Sequence, residues 1–299
     1  MRLAGRVVKT SPVGPYMCLT VDIPGWKGAE AGQFAMVQSG DSHCFLARPY
    51  SVSDDESVGE MVPGTERRAL VRFLVDVVGS GSRELAALHA GDGVHLLGPL
   101  GRGFAAAGAA APAAARRVAA CPAASVGRGG AGRLVIVAGG VGIAPLPLVL
   151  REIRSWPGVA GVLVVAGFHS SREAVAVDVL SEGLEGLRRD GVVSEIVVAS
   201  EDGSVGVRGL VTDALERELQ PQDAVLVCGP DGMSRAVWQV CRARGVTRAW
   251  FSLEAGMACG VGSCHGCVTR VADGSLARVC RNGPVFTGEE AFGNVGVAR

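Results

Sequence analysis

The chain has no excess charge of either sign: 29 Lys and Arg against 29 Asp and Glu leave a formal net charge of +0 over 299 residues. Nucleic-acid binding draws on surplus cations that neutralise phosphates, so this balance argues against such a partner. The start, MRLAGRVVKTSPVGPYMCL, has no apolar stretch leading to a small-residue cleavage site, and no export signal is read there. A long uninterrupted apolar run is also missing. The strongest candidate, Leu134 to Leu150 (LVIVAGGVGIAPLPLVL), is broken by three glycines and two prolines. It reads as strand, turn and helix start, whereas a membrane span needs about 20 predominantly apolar residues. With nine cysteines and no export signal, a cytoplasmic protein with a metal site is expected in place of disulfides.

Four of those cysteines, Cys259, Cys264, Cys267 and Cys280, stand as C-x4-C-x2-C-x12-C in MACGVGSCHGCVTRVADGSLARVC. Three close cysteines and a later fourth form the plant-type ligand pattern for two irons and two sulfides. Gly260, Gly262 and Gly266 let the backbone fold tightly there and aim N–H groups at the sulfurs. The spacing leaves two other readings open. Structural zinc uses four cysteines, though typically as two C-x2-4-C knuckles, and only one such pair exists here. Unligated thiols are the third reading. His265, between two of the cysteines, is read as a solvent-side bystander, and Cys18, Cys44, Cys121, Cys228 and Cys241 mostly as small core residues.

The first hundred residues read as β structure. AGRVVKTSP, YMCLTVDIP, GQFAMVQ, ALVRFLVDVV and GDGVHLLGPL are short β-branched segments between Gly, Pro and Asp turns, with one helical stretch, SRELAALHA. A small antiparallel barrel or sandwich is expected. From Phe104 to Gly132 the composition turns to Ala, Gly and Pro, as in a linker or flexible insert. After Arg133 the apolar strands LVIVAG, GVLVVAGF, SEIVVAS and AVLVCGP alternate with helical stretches, the pattern of a parallel sheet covered on both faces. A last strand, AWFSLE, leads into the cysteine segment.

Four further signals fall on this scaffold. Gly139, Gly140 and Gly142 follow a strand and precede a helix, a turn at which phosphate can approach the backbone, although it is not G-x-G-x-x-G. Cys228 and Gly229 end a later strand of the same sheet, and open α/β folds collect ligands at such strand ends. Arg48, Pro49, Tyr50 and Ser51 put a cation, an aromatic face and a hydroxyl in four residues. Gly79-Ser80-Gly81-Ser82 precedes the one helix of the β region and offers a second phosphate site.

In this order the signals resemble the ferredoxin–NADP reductase superfamily. RPYS and VGSGSREL look like its flavin motifs, GPLGRGF like the end of its barrel, GGVGIAPL like its pyridine-nucleotide turn and CGPDGM like the segment beside the nicotinamide. SLEAGMACGVGSCHGCVTR followed by RVCRNGPVF resembles the electron-transfer subunits of class 1B dihydroorotate dehydrogenases. The resemblance implies a fold of class β + α/β. An antiparallel flavin-binding β-barrel would span 1–104, a linker or insert 105–132, a parallel-sheet NAD-binding α/β domain 133–250 and a small 2Fe–2S cluster segment 251–299. It implies FAD contacts from Arg48, Pro49, Tyr50 and Ser51, with Leu74, Val75 and Asp76 along the cofactor and Gly81 and Ser82 at its pyrophosphate. Gly139, Gly140, Gly142, Cys228 and Gly229 would frame the nicotinamide nucleotide.

The implied function is a relay. A separate FMN-containing catalytic subunit oxidises dihydroorotate in pyrimidine biosynthesis, and electrons pass through 2Fe–2S and FAD on this chain to NAD+. A heterotetramer of two copies of each subunit is the implied assembly. This chain shows no general base for a carbon acid, which suits a subunit whose substrate is oxidised elsewhere. Two alternatives stand beside it. One is an iron–sulfur flavoprotein feeding ferredoxin or a hydrogenase from NAD(P)H, whose first ligand position is often Asp where this chain has Cys259. The other is a zinc-stabilised nucleotide-binding regulator. His169-Ser170-Ser171-Arg172 offers hydroxyls and a cation to a 2′-phosphate, so NADP specificity stays open.

Overall fold

In a computed structural model of the chain, residues 2–58, 68–107 and 132–293 are described. The expected Ala/Gly/Pro-rich insert lies, from residue 108 to residue 131, outside the described residues.

Nine elements make the first half: β1 (Arg2–Val13), β2 (Tyr16–Pro24), β3 (Phe34–Ser39), β4 (Arg48–Ser51), β5 (Asp54–Val58), β6 (Arg68–Asp76), α1 (Ser80–Ala86), β7 (Gly93–Leu100) and α2 (Phe104–Ala107). Seven antiparallel strands run in the order β4-β3-β7-β1-β2-β6-β5. Side chains alternate across a strand, and the inward set of β2 and β6 (Leu19, Val21, Ile23, Ala69, Val71, Phe73) is buried to within a few per cent. The expected barrel is present as a curled antiparallel sheet, a half-barrel with β4 and β5 at its two edges. The SRELAALHA helix begins slightly earlier than its sequence suggests and ends at Ala86.

The second half contains β8 (Gly132–Gly139), α3 (Leu146–Ile153), β9 (Val159–Phe168), α4 (Ser171–Ala174), α5 (Ser181–Arg189), β10 (Val193–Ser200), β11 (Val207–Arg208), α6 (Val211–Glu218), β12 (Ala224–Cys228), α7 (Asp231–Ala243) and β13 (Arg248–Ser252). Its sheet runs β11-β10-β9-β8-β12-β13-β16, parallel except for the last strand, β16 (Val285–Thr287). All five residues of β12 are buried, as a central parallel strand covered on both faces requires. Chain order reverses between β8 and β12, and at such a switch point the strand ends leave a crevice for a ligand.

The C-terminal segment is β14 (Val268–Arg270), β15 (Leu276–Arg278), α8 (Val279–Asn282), β16 (Val285–Thr287) and α9 (Gly288–Phe292). It does not stand apart: β16 pairs antiparallel with β13 and completes the second sheet. The two sheets are tied together by α3. Arg151 donates to the carboxylates of Asp54 and Asp55 on β5, and Glu152 accepts the Ala31 backbone N–H. No helix among the described residues is long and apolar enough to cross a membrane.

Candidate functional site

A cavity of about 630 Å³ opens between the two sheets, within the size range of cofactor sites. On the β side it is lined by all four residues of β4, by Leu74 and Asp76, and by Val78 to Ser82; the second half contributes Val141, Gly142, Cys228, Ser252 to Met257 and Pro284. β4 is set by its pairing with β3, where Phe34 faces Ser51 and Val37 faces Arg48. Alternation along β6 splits the expected trio: Leu74 and Asp76 reach the cavity, whereas Val75 is turned into the core. Ser82 spends its hydroxyl on the start of α1, where it accepts the Gly79 N–H at 2.9 Å. Gly81 packs beside Arg48, where a Cβ would make only ordinary contact, 3.5 Å from Cγ and Nε. Burial pushes the Tyr50 phenol up to about 12, so it stays protonated.

A second cavity of about 420 Å³ lies over the ends of β8, β9 and β10, lined by Gly139, Gly140, Gly167 to His169, Glu173, Glu201, Gly209 to Thr212 and the start of α7. The glycine turn therefore divides between two cavities, Gly139 and Gly140 on one and Val141 and Gly142 on the other. Its glycines serve different ends. A side-chain carbon on Gly142 would strike the Cys228 carbonyl oxygen, and one on Gly139 would strike Met233. Both let the ends of β8 and β12 close together. Gly140 (φ +53°) is the open one, with only the Tyr16 hydroxyl, at 3.6 Å, within 4 Å of such a carbon. Gly229 lines neither cavity and packs on Met233 and Gly139.

Sequence reasoning missed several lining residues. Glu254 and Ser252 join the first cavity, and Glu173 and Glu201 the second. Burial holds Glu254 above the usual carboxylate range and pushes the Cys228 thiol up to about 12. Cys228 is thus a neutral wall group. Glu254 follows AWFSL directly, but only the β12–β13 register, which sets Cys228 beside Ser252, reveals where it sits.

The cysteine loop packs against the far side of the first cavity. Phe34, Met36, Cys267, Val279 and Cys280 form one apolar cluster with Ala255 and Met257 against it. Gly260, at φ +67°, brings its backbone so close to β3 that a Cβ would lie 2.6 Å from Met36. The four thiols form two pairs. The β14–β15 hairpin pairs Val268 with Arg278 and returns the chain, so that Cys267 and Cys280 have their sulfurs 3.2 Å apart. The Cys264 N–H donates to the Cys259 sulfur at 3.4 Å, and the Cys280 N–H to the Cys267 sulfur at 3.4 Å. Backbone N–H groups, that of Cys264 foremost, hold the Cys259 thiol down at about 6. Burial and the neighbouring Cys267 push Cys280 up to about 12. Among the described residues no three His, Cys, Asp or Glu side chains close on a point for one metal ion. Two thiol pairs with N–H donors fit a centre in which each of two irons takes two thiolates. Cys264 is exposed and Cys267 buried, which puts one end of this group at the surface.

An open β sheet, a parallel sheet with its switch point at a glycine turn, a cavity between them and a cysteine-rich tail define a reductase of the ferredoxin–NADP reductase type. Residues 136–239 match the oxidoreductase NAD-binding domain, and residues 254–291 the iron–sulfur cluster binding domain of dihydroorotate dehydrogenase B. The chain is 34% identical over 272 residues to the dihydroorotate dehydrogenase B (NAD(+)) electron transfer subunit of Caldanaerobacter subterraneus subsp. tengcongensis, covering 89% of this chain and 90% of that one. It is 30% identical to the subunit of the same name from Clostridium acetobutylicum, covering 92% and 91%. The chain belongs to this family of electron transfer subunits. A solved NADH-dependent reduced ferredoxin–NADP oxidoreductase, a flavin-based bifurcating enzyme, superposes with a TM-score of 0.70 at 26% identity, over 96% of this chain and 88% of that one. A Neisseria gonorrhoeae ferredoxin NADP+ reductase with bound FAD and NADP shares the fold, with a TM-score of 0.56 at 18% identity, over 82% of this chain and 92% of that one.

Proposed function

We propose that this chain carries electrons from a dihydroorotate-oxidising, FMN-containing catalytic subunit to NAD+, as the shared family name implies. Cys259, Cys264, Cys267 and Cys280 hold a 2Fe–2S cluster, and the first cavity holds FAD. A flavin exchanges hydride or single electrons and a 2Fe–2S cluster single electrons, so the pair joins two-electron to one-electron traffic. The observation that carries this reading is the shared wall: Phe34, Ala255 and Met257 line the first cavity and also pack with Cys267 and Cys280.

The residues divide the work. Arg48 supplies charge to a phosphate, Tyr50 covers a ring face and Ser51 offers a hydroxyl at the cavity wall, with Leu74 and Asp76 along the same wall. Backbone N–H groups at Gly81 and Ser82 face the pyrophosphate. Exposed Cys264 turns the cluster loop toward the partner, in a complex of two copies of each subunit.

The second cavity receives the adenosine end of the pyridine nucleotide and favours NAD over NADP. Glu173 and Glu201 line it, and no Arg or Lys among the described residues does. Arg172, the cation that left NADP open in the sequence, is not part of the lining. Two carboxylates repel a 2′-phosphate and accept hydrogen bonds from a ribose diol.

The test uses the purified chain alone. NADH should reduce its flavin, while dihydroorotate should go unoxidised until the FMN-bearing subunit is added. Dihydroorotate oxidation by the isolated chain would refute the subunit assignment.

A further inference from the structure

The protein has only two tyrosines, Tyr16 and Tyr50. Tyr50 lines the first cavity. Tyr16, on β2, lines neither cavity itself but stands next to a residue of each. Its strand partner across β2–β6 is Asp76, which lines the first cavity, and its hydroxyl is the atom nearest the open side of Gly140, which lines the second. The residue is only 5% exposed, and its hydroxyl has no hydrogen-bond partner among the described residues. Burial, with Glu173 and Asp76 nearby, pushes the phenol up to about 12, so the group keeps its proton and can donate.

A dinucleotide that spans both cavities must cross the glycine turn between Gly140 and Val141, because the lining changes cavity there. The middle of such a ligand is its pyrophosphate. Gly139 and Gly142 direct the side a Cβ would occupy at Met233 and Cys228, whereas that side of Gly140 is open except for the Tyr16 hydroxyl, which makes Gly140 the point where a ligand and Tyr16 can meet. We propose that the Tyr16 hydroxyl, reaching over from the β sheet, donates a hydrogen bond to the dinucleotide's pyrophosphate as it passes Gly140. Tyr16 is then a binding residue for the nucleotide supplied by the other half of the molecule, and the packing of the two halves completes the site. This rests on the nucleotide reading of the second cavity given above.

The test compares full-length holoprotein with Tyr16→Phe, which keeps the buried ring and removes only the donor. The probes are NADH, ADP, which retains a pyrophosphate, and adenosine, which has none. The variant should keep its flavin spectrum and bind NADH and ADP about 10- to 100-fold more weakly, the range for a lost hydrogen bond to a charged group. Adenosine should bind both proteins equally. Equal ADP affinity in the two proteins overturns the role of Tyr16. Failure of wild-type protein to bind NADH or ADP at all overturns instead the nucleotide reading beneath it. Incorporated 3-fluorotyrosine gives a readout without the variant: two fluorine resonances, of which saturating ADP should move the Tyr16 signal. If that signal stays in place while ADP binds, the hydroxyl does not face the pyrophosphate.

Discussion

The Glu152 carboxylate on α3 accepts the backbone N–H of Ala31 at 2.7 Å, a bond between residues 121 positions apart that joins the two sheets. Burial, chiefly, pushes this carboxyl up to about 7, with Glu30 and Asp55 adding to the effect and the Ala31 N–H and Arg151 opposing it. The folded state therefore holds a proton that the unfolded chain releases near pH 4.5. Folded stability should fall as pH rises from about 4.5 to about 7, because more protons are bound in the folded state over that window. Glu152→Gln keeps an acceptor for Ala31 and removes the titration. Denaturant unfolding of the variant should lose this component of the pH dependence and show stability at pH 8 no lower than wild type. An unchanged slope between pH 5 and 7 would place the titration elsewhere.

Arg48 is half-buried beside Gly81. If Arg48 meets a phosphate of FAD as proposed, Arg48→Ala should remove a charge-assisted contact of about 1.5–3 kcal/mol. Equilibrium titration of the apoprotein should show FAD affinity reduced about 10- to 100-fold. Unchanged affinity would move the flavin away from β4.

Glu201 is half-exposed, with a side-chain accessibility of 53%, so its charge is partly screened. Glu201→Gln should narrow the preference for NADH over NADPH by up to about 5-fold, in keeping with the ~0.2–1 kcal/mol typical of exposed charges. Steady-state flavin reduction with each nucleotide measures the ratio. A ratio that does not move would remove Glu201 from nucleotide selection.

The thiol pairs predict about two irons per chain in anaerobically purified protein, the content of one 2Fe–2S centre. Metal analysis beside the visible spectrum decides this, since a brown-yellow protein carries flavin and cluster whereas zinc is colourless. Stoichiometric zinc in native protein would favour a zinc-stabilised regulator.

Sequence carried the local features well. The C-x4-C-x2-C spacing, the RPYS segment and the glycine turn are contiguous, and the apolar strands of the second sheet are buried on both faces and so uniform in composition. What escaped depends on distant pairing. β5 reads DDESV, too acidic to look like a strand, yet Asp54 and Asp55 serve as counter-ions for Arg151 almost a hundred residues on. The x12 gap before Cys280 hides a short hairpin, β14–β15, that makes Cys267 and Cys280 neighbours. Gly139 and Gly142 line the cavities, and their missing side chains also make room for Met233 and the Cys228 carbonyl, a packing role that depends on distant parts of the chain. Tyr16 carried no motif at all, because its place at Gly140 follows from how the two halves pack.

The central claim is that electrons from the partner reach NAD+ only through the cysteine site. It is tested most directly by Cys264→Ser in the complex reconstituted with the FMN-bearing subunit. Cys264 is exposed and lies outside the flavin cavity, so the variant should keep FAD. Its NADH-driven flavin reduction should match wild type, while the visible absorbance of the cluster and dihydroorotate-driven NAD+ reduction should both be lost. A cluster-free variant that still coupled dihydroorotate oxidation to NAD+ reduction at the wild-type rate would contradict the relay.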